Sequence, residues 1–189
     1  MKVDIYNTDK KYNIIYADPP WSYINKGSET GKRGMAYYHY QVMEQESIEA
    51  LGGVIDAISE KKSVLFIWAT FPNIQKALNT IKNWGFEYKT CAFVWVKKNK
   101  KSDGWFWGMG SYTRANAEIL LIATKKGIKA KDIIKSHAVH QIIISRVEEH
   151  SKKPDIVRDK IVELVGDLPR IELFARQYAD GWDCWGNEV

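Results

Sequence analysis

Short apolar runs alternate along this chain with stretches of helical period, and that alternation limits the fold more than any other feature. Residues 12–17 read as a buried strand that ends at Asp18. Residues 63–69, 90–96 and 118–124 read as further strands, with 141–145 a fifth and 170–175 a last. Between them, residues 46–59 place Ile48, Leu51, Ile55 and Ile58 at helical spacing. Pro72 opens a second helix carrying Ile74, Leu78 and Ile81, and Gly85 suits its end. Pro154 opens a third, with Ile156, Val157, Ile161, Leu164 and Val165 on its apolar face and Gly166 after it. Apolar strands joined by crossover helices predict an α/β fold, a mostly parallel sheet covered on both faces. At 189 residues one domain is expected, with a real core. Such sheets bind ligands at the carboxyl ends of their strands, where Asp18 and Arg176 both fall.

The rest of the composition narrows the partners. No apolar run approaches a membrane span, and the start lacks a signal-peptide core, so a cytoplasmic protein without membrane contact is expected. Cys91 and Cys184 form no cluster, and His39, His137, His140 and His150 have no ligand spacing with them, so no metal is expected. The net charge of +5 and pI near 9.0 favour a polyanion. Eight tryptophans stand in the chain, several beside basic residues. That pairing suits a surface that attracts phosphates and stacks on bases, although core packing explains most tryptophans.

Two segments depart from the regular plan. Residues 22–40 hold three glycines with Lys26, Lys32, Arg33 and four tyrosines. Residues 97–114 hold Lys97, Lys98, Lys100 and Lys101, then Trp105, Phe106 and Trp107. Loops this long inside a compact domain usually serve function. Each follows a strand read as parallel to the first, so both should rise from the edge that carries Asp18.

Asp18-Pro19-Pro20-Trp21 carries the strongest chemistry. An aromatic amine such as that of adenine is a weak nucleophile, because its lone pair is delocalised into the ring. A carboxylate and a carbonyl that each accept one amine hydrogen leave nitrogen density free for attack. Asp18 offers the carboxylate, and Pro19 a carbonyl on a turn with no competing amide donor. The proline pair stiffens the turn, and Trp21 offers a flat face for a base. A proline-stiffened loop with a surface aspartate is the bland alternative; the buried strand before it and Trp21 after it weigh against that.

These residues belong to a longer ordered set. Ala17-Asp18-Pro19-Pro20-Trp21 is followed by His39-Tyr40, Phe66-Ile67-Trp68 and Val94-Trp95-Val96-Lys97. Then come Thr113-Arg114-Ala115-Asn116-Ala117-Glu118, Ser151-Lys152-Lys153-Pro154, Glu172-Leu173-Phe174-Ala175-Arg176, Gly181-Trp182 and Trp185-Gly186-Asn187-Glu188. Over nearly its whole length the chain resembles the family of the messenger-RNA adenosine methyltransferase catalytic subunit and its bacterial and phage DNA-methylating relatives. The resemblance implies a Rossmann-like fold of permuted order, with the catalytic motif N-terminal and the cofactor motif C-terminal. It implies S-adenosylmethionine as cofactor and the N6 amine of adenine as acceptor. Asp18, Pro19, Pro20 and Trp21 are then the catalytic set. Asp18, Lys153, Phe174, Arg176, Tyr178, Asn187 and Glu188 are implied cofactor contacts, with Asp4 and Ile5 matched to a pair that brackets the cofactor's adenine. Tyr23, His39, Tyr40, Lys97, Lys98, Trp105, Trp107, Arg114, Asn116 and Glu118 are candidate nucleic-acid contacts. Tyr178 stands where the messenger-RNA enzyme has histidine, Glu188 where it has glutamine, and Ala179 where it has asparagine. With no zinc-finger region, these departures favour the prokaryotic or phage branch, DNA over RNA.

Blander readings stand beside these. Lys153 can be an exposed lysine near a helix start, although a cation there is unfavourable. Arg176 can be a structural ion-pair residue, Glu118 can face solvent, and the lysines from Lys125 to Lys135 can form a solvated face or touch phosphates. An RNA methyltransferase, a methyltransferase of protein side-chain amides, and a non-catalytic nucleic-acid-binding partner remain open. So do a homo- or hetero-oligomer. With only the two loops left to read bases, a short or relaxed adenine context is expected.

Overall fold

The computed structural model describes residues 1–22, 43–110, 112–149 and 151–189. Tyr23, His39, Tyr40, His150 and nearly all of the 22–40 segment lie outside the described residues. The chain runs β1 (Tyr12–Ala17), α1 (Gln45–Glu49), α2 (Gly52–Ala57), β2 (Ser59–Ala69), a single 3₁₀ turn and α3 (Ile74–Asn83). It continues through β3 (Phe86–Lys98), β4 (Ala117–Lys125), α4 (Ala130–Ile133), β5 (Ile142–Arg146), α5 (Ile156–Val165), β6 (Arg170–Leu173) and β7 (Asp183–Trp185).

The strands form a mixed sheet in the order β5-β3-β4-β2-β1-β6-β7, consistent with the Rossmann-like fold that the resemblance implies. β1 pairs in parallel with β2 and β6, β6 with β7, and β3 with β5. Only β4 runs against its neighbours, antiparallel to both β2 and β3. The period of two in each strand sorts its side chains into two cores. Ile15, Ala17, Leu65 and Ile67 pack on one face with Ile48, Ile55, Ala77 and Ile81 of α1, α2 and α3. Ile14, Tyr16, Phe66 and Trp68 pack on the other with Ile133 of α4 and Val157, Ile161 and Val165 of α5. Among the described residues no helix is long and apolar enough to cross a membrane.

The sequence reading needs three adjustments. The single helix expected over 46–59 is two, α1 and α2, and Ser59 already belongs to β2. Gly52 explains the break: a Cβ there would stand 2.4 Å from the Asn83 carbonyl oxygen at the end of α3. The chain passes too close to α3 for any side chain. Gly52→Ala is therefore expected to destabilise the fold by about 1–3 kcal/mol, read as a lower denaturant midpoint. An unchanged midpoint would contradict this close approach.

Second, β4 reverses direction. Strand direction leaves no mark on an apolar run, but no helix separates β3 from β4, and neighbours joined without a crossover pair antiparallel. Third, β3 starts at Phe86 rather than residue 90, and β6 stops at Leu173 because Phe174 turns out of the strand with φ 60°. The short β7 was not anticipated. Its three residues are too few for a period of two to show.

Candidate active site

The carboxyl ends of β1, β2, β6 and β7 share one sheet edge with the start of β4, and a cleft of about 330 Å³ opens there. That size suits a small-molecule site. Asp18, Pro19, Pro20 and Trp21 line it beyond β1, and Trp68, Ala69 and Thr70 beyond β2. Phe174, Ala175 and Arg176 follow β6, and Trp185, Gly186, Asn187 and Glu188 end or follow β7. Glu118 comes from the start of β4, and Ser151 and Lys153 from the approach to α5. Two non-glycine residues among those described have left-handed backbone, Ser151 and Phe174, both at φ 60°, and both line the cleft. Such conformations hold about 1–3 kcal/mol of strain each, and they gather where a site over-determines the backbone. The Phe174 ring is held between Trp84 and Trp185, with centroids 6.5 and 5.4 Å away.

The turn after β1 differs from its sequence reading in one respect. The Pro19 carbonyl already accepts the Trp21 N–H at 2.8 Å, and the Pro20 carbonyl accepts the Met43 N–H at 3.1 Å. The absent proline donors do not leave Pro19 unengaged, because the turn is tight enough for Trp21 to fold back on it. A second lone pair on each carbonyl remains for another donor. Trp21 is buried, and its indole N–H donates to the Trp68 carbonyl at 3.0 Å. It is a wall of the cleft more than an open plate.

Four charges alternate beside this turn. Lys153 Nζ lies 2.8 Å from Asp18 Oδ2 and 3.3 Å from Glu118 Oε2. The other Glu118 oxygen pairs with Lys97. Lys153 also sits over the Trp68 ring, 5.6 Å from its centroid. Burial pushes the Asp18 carboxyl above the ordinary carboxylate range, against the pull of Lys153. Burial would raise Glu118 as well, but Lys153 and Lys97 outweigh it and hold Glu118 below its usual value. Burial alone would lower Lys153; Asp18 and Glu118 overcome it and keep the lysine firmly protonated. The solvent-facing readings of Glu118 and Lys153 thus give way, since both are enclosed and paired.

Across the cleft, Arg176 Nε lies 3.0 Å from Glu188 Oε1, so two expected cofactor contacts meet in an ion pair. Asn187 stands beside them, and Gly186 permits the turn, because a Cβ there would stand 2.2 Å from the Ala175 carbonyl oxygen. Asp4, Ile5 and Tyr178 are not among the residues lining the cleft. Ile5 is buried in the core. Asp4 folds its carboxylate onto Asn7 and the Tyr6 N–H, and Tyr178 is exposed.

Residues 97–110 begin at the carboxyl end of β3, on the same edge. Lys98 lies over Trp105 and Arg114 over Trp107, and both tryptophans are exposed. Trp21, Trp68, Trp84, Trp95 and Trp182 are buried instead, so the core reading of tryptophan holds for them. Lys97 differs from its neighbours: its ammonium is enclosed against Glu118 and cannot also serve as an open phosphate contact. Asn116 contributes its carbonyl to the Lys97 N–H. Lys125 pairs with Asp56 and covers Phe86, a surface role. Trp68, Thr70 and Trp185 also line the cleft, beyond the contacts that the resemblance implies. The strand-end rule that picked out Asp18 and Arg176 could have found Thr70 too.

A cleft at strand ends, holding an enclosed carboxylate–lysine pair, is a small-molecule site on an α/β fold. The chain belongs to the MT-A70 family, which it matches over residues 12–188. It is 34% identical to the Type II methyltransferase M.MunI of a Mycoplasma species, covering 95% of this chain and 78% of that relative. It is 27% identical to the N6-methyladenosine RNA methyltransferase MTA1 of Pyricularia oryzae, covering 94% of this chain and 47% of the relative. Against the human N(6)-adenine-specific methyltransferase METTL4 it is 26% identical, covering 98% of this chain and 39% of that protein. The chain therefore spans less than half the length of these two eukaryotic relatives. MT-A70 methyltransferases use S-adenosylmethionine to methylate the N6 amine of adenine.

Proposed function

We propose that this chain methylates the N6 amine of adenine in DNA, with S-adenosylmethionine as donor. One observation carries the reading: the Asp18 carboxylate, held by Lys153, faces a cleft closed on its far side by Phe174, Arg176, Asn187 and Glu188. The cofactor fits these residues by chemistry. A carboxylate suits its cationic groups, Asn187 and Glu188 suit ribose hydroxyls, and the aromatic walls suit its apolar parts. When bound, it supplies an electrophilic methyl group. Asp18 accepts one amine hydrogen, and a carbonyl of the Pro19–Pro20 turn accepts the other. Lys153 favours the ionised form of Asp18 and holds it in place. The protein supplies position and charge, and no covalent bond to it forms. A duplex substrate would have to present its adenine unstacked.

The catalytic strand precedes the cofactor strands in this reading, so the order is permuted, and residues 1–189 act as one methyltransferase domain. The 22–40 and 97–114 segments serve the nucleic acid. DNA is preferred to RNA because M.MunI, at 34%, is nearer than the RNA-methylating relative at 27%. Arg176→Ala and Asn187→Ala are each expected to weaken cofactor binding about tenfold, while nucleic-acid affinity changes less. Calorimetric titration with cofactor alone measures this. Unchanged cofactor affinity in both variants would sink the assignment of the C-terminal strands.

A further inference from the structure

We propose that Lys97 is a positioning residue of the transfer site: by occupying one oxygen of Glu118, it leaves Lys153 to the Asp18 carboxylate. The proposal rests on the methyl-transfer reading above. Lys97 itself is absent from the cleft's lining, so it acts through Glu118. Its ammonium is fixed from several sides. It pairs with Glu118 Oε1 and lies 4.7 Å from the Trp95 ring centroid and 5.8 Å from that of Phe106. Its backbone is tied as well, donating to the Asn116 carbonyl at 2.8 Å and accepting the Phe106 N–H at 2.9 Å.

The balance of charge gives this arrangement its consequence. Lys97, Glu118, Lys153 and Asp18 are two cations and two anions, and the first three have side chains only 15%, 11% and 11% exposed. With Lys97 present, Lys153 stands closer to Asp18, at 2.8 Å, than to Glu118, at 3.3 Å. Without it, one enclosed ammonium would face two carboxylates. Glu118 would then compete for Lys153 at full charge, because an uncompensated buried ion is unfavourable. Asp18 would lose its close partner and the position that partner sets. Arg176, Tyr16 and Glu172 also act on this end of β1, and Lys153 and Lys97 are the cations that pull Glu118 down.

The test compares Lys97→Met and Lys97→Arg with the unaltered chain. Lys97→Met is expected to lower kcat about 10- to 100-fold. KM for an adenine-containing DNA duplex and for the cofactor should change little, and Lys97→Arg should restore much of the rate. In a Glu118→Gln background the competing charge is gone, so adding Lys97→Met should lower kcat little further. That double variant also avoids an orphaned buried carboxylate, should Lys97→Met alone fail to fold. A second readout is independent of activity: ¹³C titration of the Glu118 carboxyl, assigned with Glu118→Gln, should move to higher pH in Lys97→Met. Unchanged kcat with a salt-dependent rise in KM for DNA would overturn the proposal and return Lys97 to a phosphate. An unmoved Glu118 titration would overturn it as well. Absence of transfer to any nucleic acid by the unaltered chain would instead refute the methyl-transfer reading, and the titration would still decide whether Lys97 governs Glu118.

Discussion

Asp18→Ala is expected to lower methyl transfer by about 10²–10³-fold or more while the protein stays folded. The carboxylate is the one anionic acceptor in the turn after β1, and the neighbouring carbonyls cannot replace its charge. The fold should tolerate the change for a specific reason. Burial already disfavours the ionised Asp18 carboxyl, and Lys153 keeps Glu118 as a partner once Asp18 is gone. The same burial shapes the pH dependence of the unaltered enzyme. Asp18 accepts an amine hydrogen most strongly when ionised, and its value is raised. Activity should therefore fall on acidification at a higher pH than an exposed aspartate would give. Turnover and melting temperature measured together test the claim, and substantial activity in a folded variant would contradict it.

Lys153→Met is expected to produce the larger loss of stability. It removes the ammonium that Asp18 and Glu118 share, so Asp18 loses that partner and Glu118 is left with Lys97 alone. Breaking a buried pair in this way typically costs about 3–5 kcal/mol near neutral pH. The pH dependence has a definite sign. In the unaltered chain Glu118 is held below its usual value, so its contribution is present above the unfolded value and is lost as pH falls through the folded one. In the variant Asp18 is expected to rise further, and Glu118, left with Lys97, to rise from its lowered value. A raised carboxyl favours the fold below its unfolded value, and that advantage is lost as pH rises through the folded one. Melting temperatures of the two proteins, followed from about pH 8 to about pH 5, should therefore converge. A constant gap would show that Lys153 does not balance these carboxylates. Transfer should fall strongly as well, since Asp18 loses the group that holds it.

Much of this architecture is legible in the chain because burial on both faces makes residues 14–17 of β1, residues 64–69 of β2 and the middle of β4 continuously apolar. α3 and α5 show their periodicity for the converse reason, each having one covered face. What could not be read depends on distant partners. The break between α1 and α2 follows from the approach of α3 to Gly52, thirty-odd positions from Asn83. The reversal of β4 follows from pairing, which leaves no trace in composition.

The site divides along the same line. Asp18 and Arg176 could be found from strand ends alone, and Lys153 gains its meaning only from the two carboxylates that the fold brings to it. In sequence Lys97 is the first of four lysines, with Lys98, Lys100 and Lys101. Only the start of β4, placed beside the end of β3, shows that its partner is Glu118. Pro19 offers the opposite lesson: the sequence shows no donor that competes for its carbonyl, and the turn folds the Trp21 N–H back onto it.

The most direct test of the whole reading is the fate of a labelled methyl group. The purified chain is incubated with methyl-labelled S-adenosylmethionine and separate DNA, RNA and protein pools, and each pool is digested and resolved. Label recovered as N6-methyladenine from the DNA, and lost in Asp18→Ala, is the expected result. Label confined to RNA or to protein side-chain amides, or no transfer by a folded chain that binds the cofactor, would contradict it.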